Sequence, residues 1–107
     1  MTKSQIDEIT EQKRFRAALN ATVKHYGHGS ITLIAKNAGI RPQYISMLIS
    51  EAKNVSGRES TRHKIAEIIG YDYDTFLEMG ENVLQGKKIK FNAKIKQYNR
   101  KTQQQPN

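Results

Sequence analysis

The 107-residue chain predicts an all-α fold: a compact five-helix domain followed by a basic C-terminal tail. Three observations carry that prediction. Between Ser30 and Ser50 two short helical patterns meet at Gly39, and the second divides cleanly into an apolar and a polar face. From Ser60 to Ile69 and from Tyr73 to Leu84 apolar residues again recur at helical spacing, each segment closed by a glycine. The chain length allows one small domain with a single core.

A first helix is expected from about Ile6 to Tyr26, with Ile9, Leu19, Val23 and Tyr26 facing the core. Asp7, Glu8 and Glu11 load its N-terminal end, where the helix dipole favours negative charge. Gly27, His28 and Gly29 end it. Ser30 is expected to cap the second helix, whose buried stripe is Ile31, Ile34, Ala35 and Ala38. Small Ala35 suits the closest approach of two crossing helices. Gly39 then occupies a reversal that wants positive φ. Arg41, preceding Pro42, is pushed into the extended geometry of a capping position, and Pro42 suits the first turn of the third helix.

In that third helix Ile45, Leu48, Ile49 and Ala52 repeat at i, i+3, i+4 and i+7, with Gln43, Ser46, Met47 and Ser50 on the opposite side. Lys53 to Glu59 reads as a polar loop. Ser60 or Thr61 is expected to cap a fourth helix with Ile65, Ile68 and Ile69 inward, closed by Gly70. Asp72 is expected to cap a fifth, in which Tyr73, Phe76, Leu77, Gly80, Val83 and Leu84 form one stripe. Gly86 ends the domain, so residues 1–86 are assigned to it and residues 87–107 to the tail.

The net charge is +8, and polyanions are the natural partners of so basic a chain. The charge is uneven. From Glu81 onward seven basic residues face that one acid, a net of +6, whereas the first eighty residues carry eleven against nine, a net of +2. In the tail Ile89, Phe91, Ala93 and Ile95 alternate with Lys88, Lys90, Asn92, Lys94 and Lys96, which is strand periodicity. Two readings stay open. One is a disordered basic arm, since the Gln-rich end has nothing to pack with; the other is a strand that pairs with its symmetry mate and needs cover to be stable.

Several function classes are disfavoured. The chain has no cysteine, hence no disulfide framework and no thiolate chemistry. No apolar run approaches the ~18 residues that span a bilayer, and Met1 to Glu8 lacks a signal-peptide core, so a cytoplasmic protein without a membrane partner is expected. His25 and His28 are spaced like a metal pair, but His63 is distant and no nearby acid completes a set. Asp72, Asp74, Glu78 and Glu81 cluster in sequence, and helix capping explains the first two. No phosphate loop and no Ser-His-Asp spacing is present. No enzyme activity, metal or cofactor is expected. Tyr71, Tyr73 and Phe76 read as core; Tyr44 either packs on the preceding helix or offers its hydroxyl to a phosphate.

At Ala35, Gly39 and Ile45, with apolar Ile34, Ile40 and Leu48 around them, the chain resembles the phage-repressor-like (Xre-type) helix-turn-helix family, over roughly Ile9 to Gly86. The resemblance implies a lambda-repressor-like domain that binds double-stranded DNA sequence-specifically, as a homodimer on a palindromic operator, and so regulates transcription, most simply by repression. It maps base reading onto Arg41, Pro42, Gln43, Ser46, Met47 and Ser50. Arg41 suits guanine, Gln43 adenine and Met47 a thymine methyl. Backbone contacts map onto Ser30, Thr32, Lys36, Tyr44, Lys53, Arg58 and Arg62. The chain departs from the family pattern where Pro42 replaces a frequent polar reader and Arg41 lacks a capping oxygen. Two other functions fit the sequence: an antitoxin that autoregulates its promoter while its tail wraps a toxin as protein partner, and a basic protein acting through partners or membrane surfaces.

Overall fold

The computed structural model describes residues 3–27, 29–50, 52, 53, 55 and 57–91, with side chains from Thr10 onward. Among these the chain forms five helices and no strand: α1 (Lys3–Tyr26), α2 (Gly29–Ala38), α3 (Pro42–Ile49), α4 (Glu59–Ile69) and α5 (Tyr73–Leu84). The all-α expectation therefore holds across the described residues.

Glycine sets three of the helix ends in the same way. Gly39 has φ +72°, a conformation that costs a side-chain-bearing residue. There the Ile40 N–H reaches back to the Ala35 carbonyl at 3.0 Å and the Gly39 N–H to the Lys36 carbonyl at 3.3 Å. This pair of bonds satisfies carbonyls that the end of a helix leaves unpaired. Gly70 and Gly86 repeat the pattern, with Tyr71 N–H on Ala66 and Lys87 N–H on Asn82. Arg41 holds the expected extended geometry (φ −80°, ψ 144°) and Pro42 opens α3.

Phe15, Leu19, Ile34, Ile45, Leu48, Ile65, Ile69 and Phe76 are all but completely buried, so every helix contributes to one core. α1 and α5 lie side by side and run in the same sense. Glu11 pairs with Tyr73, Phe15 meets Phe76 edge-on at 5.6 Å, and Ala17 and Asn20 share a cleft with Val83 and Leu84. Gly80 makes this approach possible, because a Cβ built there would fall 1.8 Å from the Arg14 carbonyl oxygen. Thr22, buried near the C-terminal end of α1, is satisfied locally by donating to the Ala18 carbonyl at 2.8 Å.

Several sequence expectations need correction. α1 opens at Lys3, so its first turn carries no acid, and Glu11 bridges helices instead of loading the dipole. Ala52 lies in a turn beyond the end of α3 and is exposed, outside the core stripe. α4 begins at Glu59, with Arg58 at the capping position and no side-chain cap, so neither Ser60 nor Thr61 caps it. Asp72 does occupy the cap of α5, but its side chain makes no capping bond. Leu84 is 54% exposed, whereas Met79 and Phe15, absent from the expected core, are buried. Beyond Gly86 the chain stays in contact with the core. Ile89 and Phe91 are half-buried against the core, while Lys88 and Lys90 between and beside them are exposed. The alternation in residues 87–91 is thus one of inward and outward residues, with no strand among the described residues of the chain. Ala93, Ile95 and the Gln-rich end lie outside the described residues.

Candidate functional site

The outward face of α3 follows from the burial of its inward one. Ile45 is 0% and Leu48 1% exposed, and in a helix that commits the opposite positions to solvent. Arg41, Pro42, Gln43, Ser46 and Met47 are all exposed. The side chains of Arg41 and Gln43 make no hydrogen bond or ion pair with any described residue, so their donors and acceptors are available to a ligand. Met47 is an exposed large apolar side chain in the same row. Cation, amide, hydroxyl and thioether thus stand together on one short helix and its N-cap, with no acid among them. Ser50 differs from its expected neighbours. It is the half-buried C-cap of α3, and its hydroxyl accepts the Lys53 N–H at 3.3 Å.

The expected backbone contacts divide into two groups. Thr32, Lys36, Lys53 and Arg58 are exposed. Ser30 and Arg62 are not, and both need correction as surface contacts. Ser30 is 5% exposed and donates its hydroxyl to the Gly27 carbonyl at 2.6 Å. Arg62, also 5% exposed, donates to the Tyr73 hydroxyl (2.8 Å), the Gly57 carbonyl (2.8 Å) and the Glu11 carboxylate (2.9 Å). A guanidinium so enclosed is a structural tie. Tyr44 is half-buried, with its hydroxyl against Gly57, where an added Cβ would lie 3.1 Å from it.

Charge inside the domain is consistent with that role. The Tyr73 hydroxyl donates to Glu11 at 2.6 Å, and this bond, together with Arg62, holds the Glu11 carboxyl below its usual pKa. Burial first, and the bonded carboxylate second, push the Tyr73 hydroxyl up to about 12. The stacked His63 ring lies 3.8 Å from Tyr73. His25 is likewise engaged in ring contacts, with Tyr26 and Phe91, and His28 lies outside the described residues. Among the described residues no group of three or more His, Asp and Glu could hold a metal. None of the helices among them is long and apolar enough to cross a membrane.

One positioning residue escaped the sequence reading. Arg16, on α1, donates from Nε to the Leu48 carbonyl at 3.1 Å and from a terminal nitrogen to the Val55 carbonyl at 3.2 Å. α3 has no basic residue in its own last turn, so Arg16 supplies the cation its C-terminus lacks and ties the following loop to it. Arg16→Met keeps the stem but strands both carbonyls. It is expected to cost ~1 to 3 kcal/mol in thermal unfolding and to speed amide exchange at Ser50, whose N–H closes the helix on Ser46. Arg16→Lys should not restore both, because one ammonium lacks the fork that spans two acceptors.

Comparison with protein-family models, with curated proteins and with solved structures returns no match to this chain.

Proposed function

We propose that this protein is a sequence-specific double-stranded DNA-binding transcriptional regulator of the helix-turn-helix kind, most simply a repressor, acting as a homodimer on a palindromic operator. The observation that carries the reading is the division of α3. Its apolar side is locked into the core, and Arg41, Gln43, Ser46 and Met47 present base-reading chemistry on the other. An eight-residue helix of this kind enters a major groove and reaches only a few base pairs. Two copies on a symmetric site would supply the rest of the specificity. Exposed Thr32 and Lys36 on α2, with Lys53 and Arg58 beyond α3, are suited to phosphates at the rim. The cytoplasm is the compartment this function needs.

Two substitutions separate reading from holding. On the preferred duplex Gln43→Ala should cost ~1 to 3 kcal/mol and relax discrimination at one base pair per half-site, with nonspecific binding nearly unchanged. Lys36→Ala should weaken every sequence by a similar factor. Binding of both variants to a set of single-base operator changes decides between the roles. A uniform loss for Gln43→Ala, or none, removes α3 from base reading.

A further inference from the structure

Residues 87–91 leave α5 and continue along α1 instead of departing from the domain. Phe91 stacks on His25 with ring centroids 4.4 Å apart and planes 19° from parallel, and meets Tyr26 edge-on at 5.6 Å. Ile89 packs against the core. With Ile89 and Phe91 turned inward, Lys87, Lys88 and Lys90 are all exposed. One end of this strap lies beside an element assigned to DNA. Phe91 stacks on the last turn of α1, immediately before Gly27 and the start of α2.

We infer that residues 87–91 are an anchored cationic strap that binds the phosphodiester backbone of duplex DNA flanking the bases read by α3, with Phe91 on His25 and Tyr26 as its anchor. This rests on the DNA-binding reading above. A strap already held against the domain has its backbone ordered before DNA arrives, so its lysines engage phosphates without the ordering cost that a free arm of equal charge bears on binding. Anchoring therefore contributes affinity even though the anchor residues carry no added charge.

The full chain and its variants are titrated, over a series of salt concentrations, with a duplex selected from a random pool and with a random-sequence duplex. Lys87→Gln, Lys88→Gln and Lys90→Gln together should lower the slope of log affinity against log salt by about two to three, on both duplexes. Phe91→Ala and, from the other side of the stack, His25→Ala should each weaken binding about three- to tenfold on both duplexes, with thermal unfolding confirming that the helices remain intact. If both ring variants bind as wild type while the triple variant is weakened, the lysines act as a free arm and the strap is wrong. A triple variant that binds as wild type overturns the phosphate contact itself. Should wild type fail to prefer the selected duplex, the sequence-specific reading fails instead, and the random duplex still reports on the strap.

Discussion

Gly80→Ala will destabilise the domain by ~3 kcal/mol, although alanine is the better helix former by about 1 kcal/mol. A Cβ at this position would sit 1.8 Å from the Arg14 carbonyl oxygen, 2.6 Å from its carbon and 2.9 Å from its Cα. All three are backbone atoms of a helix and none can rotate aside. α1 and α5 would have to separate, loosening the Phe15 and Phe76 contact at the centre of the core. Denaturant unfolding of Gly80→Ala checks this: a midpoint equal to wild type would mean that the two helices do not approach so closely.

Glu11→Ala will cost ~2 to 4 kcal/mol, because it leaves the enclosed Arg62 guanidinium without its counter-charge. The side chain of Arg62 is only 7% exposed, against 30% for Glu11, so the penalty lies mainly with the arginine left behind. Arg62→Met in the same chain should recover part of the loss, since it removes the orphaned charge. The pH dependence has a definite sign. The folded-state pKa of Glu11 is depressed below 4.5, so its contribution is fully present above that value and is lost as pH falls through the lower folded value. The stability gap between wild type and Glu11→Gln should therefore narrow in acid. Tyr73 acts at the other end. Its pKa is raised from 10 to about 12, so what its protonated hydroxyl contributes holds below pH 10 and fades between 10 and 12. Unfolding of the two proteins across pH measures both effects.

These two sites show where sequence reading stops. The positions of α2, α3 and α5 were legible because their signals are local: Gly39, Gly70 and Gly86 close turns within a few residues, Pro42 opens a helix, and the apolar spacing of Ile45 and Leu48 needs no partner to be read. Arg62 was not legible. Its position on the apolar side of α4, three residues before Ile65 and seven before Ile69, is a spacing signal that its charge overrides on paper, and its partners Glu11 and Tyr73 lie 51 and 11 residues away, brought together only by packing. Arg16 eluded notice for the same reason, since the carbonyls it bonds carry no sequence signature. Phe15 sits between Arg14 and Arg16, which obscure the apolar stripe of α1, although its ring is 2% exposed. Ala52 and Leu84 were overread, because an apolar residue that fits a helical period continues the pattern on paper after the helix has ended or turned outward. In the tail the alternation from Lys88 to Phe91 was real, but its meaning depended on the rings of His25 and Tyr26, more than sixty residues earlier.

The candidate site itself was largely legible as a face. Its five exposed positions from Arg41 to Met47 follow from the burial of Ile45 and Leu48, and the structure removes Ser30 and Arg62 from the surface set around it. What that face does is a question of sequence preference. Repeated selection of duplexes from a random pool by the full chain, at a salt concentration of about 0.2 M where purely electrostatic attachment fades, addresses it most directly. The proposed function predicts convergence on one motif with two-fold symmetry, its half-sites about one helical turn apart, and loss of preference at one base pair per half-site when Gln43→Ala is used for selection. A bound pool that stays random in sequence would contradict it, leaving a basic helical domain that holds DNA without reading it.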